Sequence, residues 1–191
     1  RGRELEQSLF GNLTVHPVEE LEIAGGVRYI HFDETKSLSI PSVGAVLQDV
    51  NSTDSAWIYS GSIKYQLTPD VMVYAITASS WRPGIIPAGN SDLERSALEE
   101  SFLQTTPERS KSYEIGLKSS WFDRKLDLNL TAYHQKFRDY PYRSPGGVYF
   151  INTSADLSTT PPTLVDGVSS FNFVSAVPVE VNGVEAELAY R

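Results

Sequence analysis

Tyr113-Glu114-Ile115-Gly116-Leu117-Lys118-Ser119-Ser120-Trp121, followed across Phe122-Asp123-Arg124-Lys125 by Leu126-Asp127-Leu128-Asn129-Leu130-Thr131-Ala132-Tyr133, decides the fold. Side chains on a strand point alternately to opposite faces. One face therefore collects Tyr113, Ile115, Leu117 and Trp121, then Leu126, Leu128, Leu130 and Ala132. The other collects Glu114, Lys118 and Ser120, then Asp127, Asn129, Thr131 and Gln135. Period-2 segregation of this kind predicts an antiparallel hairpin with one face against something apolar and the other against water.

The same pattern extends in both directions. Leu21, Ile23, Val27 and Tyr29 alternate with Glu22, Ala24, Gly26 and Arg28. Trp57, Tyr59, Ile63, Tyr65 and Leu67 alternate with Ile58, Ser60, Ser62, Lys64 and Gln66. Val184, Ala186, Leu188 and Tyr190 oppose Glu185, Glu187 and Ala189. A first strand over Glu4 to Val15 and another over Val71 to Trp81 complete an up-and-down meander of about seven long strands of about 12 to 15 residues. The only helical signal is a short turn over Leu93 to Phe102 behind Ser91-Asp92.

The connections sort into two kinds. His16-Pro17-Val18-Glu19, Thr68-Pro69-Asp70 and Asp123-Arg124-Lys125 read as tight turns. Asp33 to Ala56, Arg82 to Glu108 and Arg143 to about Val174 read as long loops. Short and long alternate strictly, as in outer-membrane barrels. A soluble sandwich has no reason to sort its connections, and soluble strands run about 5–6 residues. Tyr113 and Trp121 share a face about 27 Å apart along the strand. A tilt of about 40° brings that to roughly 20 Å, close to the height between two aromatic girdles.

Composition narrows the function classes. The 191 residues carry 16 Lys+Arg and 24 Asp+Glu, a net charge of −8, with no Cys. That excludes disulfides, a Cys-based zinc site and a Cys nucleophile, and it argues against a nucleic-acid partner. No run of 18 uncharged apolar residues predicts a membrane-spanning helix. The mean hydropathy of −0.24 suits a barrel that shows lipid only alternate residues of each strand. Both ends fall within strand-like patterns, so residues 1–191 are expected to be part of a larger β-barrel domain.

Several stretches resemble one family. Thr105-Thr106-Pro107-Glu108-Arg109-Ser110-Lys111-Ser112-Tyr113-Glu114-Ile115-Gly116-Leu117-Lys118-Ser119 resembles the "pE-x-s-x-s-Y-E-x-G-x-K" stretch of TonB-dependent receptors. Leu126 to Tyr140 is similar to their "l-n-x-A-x-y-x-x-x-x-d-y" strand, and Asn182 to Leu188 to their "GvE-x-E" strand. Leu21 to Tyr29 resembles "l-x-l-x-x-G-x-R-y", and Val73 to Gly84 resembles "vYa-x-x-s-x-g-f-r-P-G". The resemblance implies a 22-stranded transmembrane β-barrel in the bacterial outer membrane. By this resemblance its plug domain and C-terminal strands would lie outside residues 1–191. The protein would be a receptor importing a scarce ligand, such as a ferric siderophore, with energy from the TonB complex through the plug region. Cobalamin, glycans and other chelates stay open as ligands. The insertion from Arg143 to Val174 departs from the family's shorter loops.

Two sets of candidate residues follow. Arg28, Lys64, Glu114, Lys118, Asp127, Asn129, Glu185 and Glu187, with Glu22, Gln66 and Gln135, are expected to face the lumen, because Arg or Lys on the lipid face near the midplane costs about 2–4 kcal/mol. Trp81, Arg82, Tyr140, Tyr142 and Arg143 combine stacking surface with cations that suit anionic ligands, and are the candidate ligand contacts. No catalytic residue, metal site or cofactor is expected. His16, His31 and His134 lack ligand spacing, no Gly-x-Ser-x-Gly elbow is present, and Glu19-Glu20 and Glu99-Glu100 read as solvated surface. The competing readings are a soluble all-β ligand- or carbohydrate-binding sandwich and a β-scaffold enzyme such as a glycoside hydrolase. A sandwich would bury Ile115, Leu117, Leu126, Leu128 and Leu130 between two sheets.

Overall fold

The hairpin of Tyr113 to Tyr133 is one step in a continuous ladder. The computed structural model describes residues 2–84 and 105–191, with side chains for all of these except 38, 45–50, 143–153 and 168–175. Seven strands follow in chain order: β1 (Gly2–Val18), β2 (Leu21–Ile40), β3 (Ala45–Thr68), β4 (Val71–Arg82), β5 (Glu108–Trp121), β6 (Leu126–Asp156) and β7 (Thr163–Tyr190). Each pairs antiparallel with the next in one sheet, without crossovers. Among the described residues the only helical element is a 3-10 turn, Pro41–Val43.

Cross-strand register makes the faces explicit. Leu21, Tyr65, Val73, Leu117, Leu130 and Ala186 form one row across six strands. Ile23, Ile63, Ala75, Ile115, Ala132 and Val184 form another row on the same face. Between them Glu22, Lys64, Tyr74, Gly116, Thr131 and Glu185 line up on the opposite face. A register slip of one residue on any strand would exchange its two faces, so the apolar rows fix the pairing.

The apolar face has no second layer over it among the described residues. Ile115 is 63% exposed, Val184 78% and Leu188 68%. The accessible surface is 13106 Å², against roughly 9,100 Å² for a compact monomer of this mass. Among the described residues the buried apolar side chains are Ile30, Phe32 and Ala56, and none belongs to those rows. The surface excess is that of a single open sheet, and it removes the sandwich arrangement.

Reversals at one end of the sheet are tight. Glu19-Glu20 joins β1 to β2 and Pro69-Asp70 joins β3 to β4. Phe122, Asp123 and Arg124 all adopt left-handed φ, at 55°, 54° and 64°. The Lys125 N–H donates to Trp121 O at 3.1 Å, closing that turn. The first turn falls two residues later than the expected His16 to Glu19. A bulge between Val15 and Val18 absorbs His16 and Pro17, and a bulge is where a strand tolerates a proline without a ladder N–H.

The opposite end corrects two expectations. Asp33 to Ala56 is no loop: β2 and β3 stay paired to Ile40 and Ala45, where Gly44 turns the chain at φ 67°. Arg143 to Val174 is likewise strand, with pairing to Asp156 and Thr163. The strands are consequently 12 to 31 residues long: β4 and β5, at 12 and 14, meet the expected 12 to 15, and the other five exceed it. In Glu34 to Ser37 and Asn51 to Asp54 both strand faces carry polar residues, so composition there does not distinguish paired ribbon from loop. Asp156 closes the β6–β7 tip by accepting from Ser158 Oγ at 2.6 Å and Ser158 N at 2.8 Å, an Asx-type turn. Those bonds, the hydroxyl's first, hold the Asp156 carboxyl below its ordinary range. The turn expected over Leu93 to Phe102 lies outside the described residues.

Candidate functional site

The polar face is built strand by strand from cross-strand pairs. At the short-turn end Lys64 Nζ meets Glu22 Oε1 at 2.7 Å, and His16 Nε2 lies 3.4 Å from Glu22 Oε2. Arg28 donates to Glu6 Oε1 at 2.6 Å. The Tyr74 hydroxyl donates to Glu114 Oε1 at 2.7 Å and lies 3.0 Å from Thr131 Oγ1, so one side chain from β4 reaches over β5 to β6. Lys118 Nζ stands 5.8 Å from the Tyr74 ring centre. Asn129 donates to Glu187 at 3.2 Å and Ser120 to Asp127 at 2.7 Å. Around the last of these groups a concavity of about 480 Å³ is lined by Gln66, Lys118, Arg124, Asp127, Asn129 and Glu187.

Tyr74 can lie across β5 because its register partner is Gly116. A Cβ there would stand 2.3 Å from Tyr74 Cζ. Tyr133 lies over its partner Gly183 in the same way, also at 2.3 Å. Two tyrosine-in-glycine notches therefore tie β4 to β5 and β6 to β7 on the polar face. The sequence reading missed both, because a Gly-Tyr pairing is visible only once the register is known.

Register places Arg28, Lys64, Glu114, Lys118, Asp127, Asn129, Glu185 and Glu187 on one face. The five candidate ligand contacts divide. Arg82 is on this same polar face at the long-hairpin end, ion-paired with Glu108. Tyr140 resumes pairing with Val177 after a bulge in which Asp139 takes φ 57°. Its ring packs edge-on against Phe137, with centres 5.6 Å apart. Tyr140 and Tyr142, opposite Val177 and Ser175, stay in phase with Phe137 opposite Val179, so both belong to the polar face. Trp81 pairs with Arg109 on the other face, while its ring reaches the Phe32 ring at 6.1 Å. Arg143 pairs with Val174, out of phase with Tyr142, and its side chain lies outside the described set.

On the apolar face, aromatics gather at both ends of the apolar rows. Trp121 and Tyr190 flank Leu126 near the short turns. Tyr29 and Trp57, 5.0 Å apart, and Tyr113, stacked at 6.4 Å on His134, lie toward the long hairpins. Beyond Tyr113 this face changes character: Arg109 stands opposite Arg138, and Lys111 opposite Lys136. Among the described residues no group of three or more His, Asp or Glu side chains could hold a metal ion.

Comparison with known proteins matches this geometry. The sequence model of the family described as TonB dependent receptor-like, beta-barrel, matches residues 2–191. A probable TonB-dependent receptor, BfrD, of Bordetella pertussis is 31% identical over 123 residues, covering 62% of this chain and 16% of that protein. The metal-pseudopaline receptor CntO of Pseudomonas aeruginosa is 27% identical over 94 residues, 49% of this chain and 12% of that protein. The closed form of the ferric-catecholate import receptor Fiu from E. coli superposes with a TM-score of 0.63 at 16% identity, over 99% of this chain and 26% of that one. The chain thus spans about a sixth or less of the curated relatives it matches. With the family model covering the chain from residue 2 to its end and the fold shared with a solved receptor, the chain belongs to the TonB-dependent receptor β-barrel family.

Proposed function

We propose that this chain is an arc of the barrel wall of an outer-membrane receptor that captures a scarce ligand outside the cell and imports it with energy delivered by the TonB complex. The observation that carries the reading is the segregation of one sheet into an uncovered apolar face and a hydrogen-bonded polar face, with its tight turns at one end. A tilted strand needs about 9–11 residues to cross a bilayer, and every strand here is longer. The apolar rows then meet outer-membrane lipid. Glu22, Arg28, Lys64, Glu114, Lys118, Asp127, Asn129, Glu185 and Glu187 line the lumen, where a plug domain, contributed from outside this chain, would contact them. The long hairpins project outward, and the barrel closes with strands beyond these seven, toward the 22 of the family.

The ligand reading is a metal chelate, such as a ferric siderophore. Support comes from the relatives: one is a metal-pseudopaline receptor and one solved structure is a ferric-catecholate import receptor. Within this chain Arg82, Tyr140 and Tyr142 supply a cation and aromatic surface on the lumen side of the long-hairpin end, suited to an anionic chelate. Register phases Trp81 with Arg109 on the other face, so Arg82, Tyr140 and Tyr142 carry the ligand reading. Deleting the gene that encodes this chain and measuring growth on a panel of ferric and other metal chelates tests the reading. Loss of uptake of one chelate, restored by the wild-type gene but not in a strain lacking TonB, is the expected result. Unchanged uptake of every chelate, or restoration without TonB, overturns it.

A further inference from the structure

We propose that a seam in the wall between β3 and β4 takes the fatty-acyl chain of the imported ligand, so that the ligand is an acylated, amphipathic chelate. This rests on the transport reading above, whose ligand it narrows.

β3 and β4 pair from Thr68 and Val71 up to Ser60 and Ala78. Above that point β3 pairs with β2, and β4 with β5. The last link between them is made by a side chain. Ser79 Oγ accepts from Tyr59 N at 2.8 Å and donates to Tyr59 O at 3.4 Å. A hydroxyl thus satisfies backbone groups that a closed ladder would pair with β4 backbone, and the strands part there. Ala78 follows Thr77, the register partner of Tyr113. The parting therefore begins at the upper aromatic girdle, where lipid gives way to water.

The opening reaches both faces of the sheet. A cavity of about 260 Å³ is lined by Trp57, Tyr59 and Ser79 from the lipid-face phase and by Ala56, Ser80 and Ser110 from the lumen phase. Trp81 lines it too. Register assigns Trp81 to the lipid face opposite Arg109, yet its ring stands edge-on to that of Phe32, a lumen-phase residue, at 6.1 Å. The parted strands allow that crossing. Trp57 is 67% exposed at the outer mouth, and Ala56 is 4% exposed on the lumen side.

Volume and hydrogen bonding give the occupant's chemistry. A cavity of about 150 Å³ takes benzene, so one of 260 Å³ holds about ten carbon atoms, the scale of a medium-length aliphatic chain. Its aromatic walls suit such a chain, and Arg109 and Lys111, which border it on the β5 side, offer their methylene stems. The Trp81 indole N–H is buried without an acceptor among the described residues, where a buried Trp N–H ordinarily finds one. A carbonyl at the head of the chain supplies that acceptor, which makes the chain acyl and not simple alkyl. Ser80 and Arg82 share the lumen face, about 7 Å apart along β4. A head group joined to the carbonyl therefore lies beside Arg82, the cation of the ligand reading, and the tail points out between Trp57 and Tyr59.

The test uses the complete receptor in nanodiscs and N-decanoylglycine carrying a diazirine on its last carbon, with crosslinks located by mass spectrometry. Unlabelled N-decanoylglycine and decyloxyacetate, which has an ether in place of the amide, serve as competitors. The wild type should show saturable labelling at Trp57 and Tyr59, with the amide competing about tenfold better than the ether. Trp81→Phe should remove that advantage. Ala56→Trp, which fills the cavity, should cut saturable labelling about tenfold or more, and Lys125→Gln at the short-turn end should change neither. Heat-modifiable migration confirms that each variant is a folded barrel. Equal competition by amide and ether, an advantage kept in folded Trp81→Phe, or labelling spread evenly over Ile115, Leu117 and Val184 as by bulk lipid overturns the proposal. Labelling confined to Ala56 and Ser80 also overturns it, because the chain then enters from the membrane with its head outside. If any of these results accompanies TonB-dependent chelate uptake in the growth test above, the acyl site alone is rejected; a growth test without such uptake rejects the transport reading itself.

Discussion

Replacing Gly116 with alanine should cost stability through Tyr74 rather than through β5 itself. A Cβ at Gly116 would stand 2.3 to 2.4 Å from Cζ, Cε1 and Oη of Tyr74, where carbon atoms prefer about 3.5–4.0 Å. The ring must lift by more than about 1 Å. Its hydroxyl then leaves both Glu114 and Thr131, now at 2.7 and 3.0 Å. A bond to a charged group contributes about 1.5–3 kcal/mol and a neutral one about 0.5–1.5 kcal/mol. Against this, replacing glycine in a strand returns roughly 0.5–1 kcal/mol. Because the polar face is wet, the lower end applies, and the expected net loss is about 1–3 kcal/mol. The assay is denaturant unfolding of the complete receptor in detergent micelles, as a double-mutant cycle with Tyr74→Ala. In the Tyr74→Ala background Gly116→Ala should be neutral or mildly stabilising. An equal cost in both backgrounds would refute the notch as the cause.

Gly183→Ala should cost less than Gly116→Ala in the same assay, because no hydrogen bond among the described residues tethers the Tyr133 hydroxyl that must move. Leu117→Arg, on the apolar face near the middle of the band, should destabilise the barrel in lipid vesicles by about 2–4 kcal/mol. Ser62→Arg on the polar face, in register with Ala24 and Ile76, should change stability by less than about 1 kcal/mol, and equal costs would mean the faces are misassigned. Asp156 has its folded pKa depressed by Ser158, so its contribution to the hairpin tip is present above the ordinary carboxylate value of about 3.9 and fades as pH falls through the lower folded value. Ser158→Ala should raise the Asp156 pKa toward the ordinary value in a carbon-13 carboxyl titration; an unchanged titration would show that the hydroxyl does not hold it.

The spanning part of the fold was legible because it is where chemistry differs between faces. Leu126, Leu128 and Leu130 against Asp127 and Asn129 can adopt only one strand phase when one side is lipid or core, and the register follows that phase. The outer ribbons were not legible for the complementary reason. Glu34-Thr35-Lys36-Ser37 pairs with Ser52, Asn51, Val50 and Asp49, and with no apolar residue from Glu34 to Ser37, neither face of that stretch leaves an apolar signature. The shared face of the polar set could be read from the same phase. The Tyr74–Gly116 notch could not, since it joins residues whose only relation is lateral register. The cation quartet was hidden in the same way: Arg109 and Lys111 look like ordinary polar residues entering a strand until Arg138 and Lys136 are set beside them. The bulge at Arg138 and Asp139 also shifts the phase by which Tyr140, Tyr142 and Arg143 would be assigned to a face.

The central claim is that the apolar rows face lipid and the polar rows face a water-filled lumen. The 191 residues contain no cysteine, so single substitutions to cysteine along this stretch carry an environment-sensitive fluorophore without removing any thiol of the chain. The most direct measurement labels positions 114, 115, 117 and 118 one at a time in the complete receptor reconstituted in bilayers. Quenching by a bromolipid is then compared with quenching by aqueous iodide. The account predicts bromolipid quenching at 115 and 117 and iodide quenching at 114 and 118. Uniform quenching along the stretch, or the opposite alternation, would contradict it.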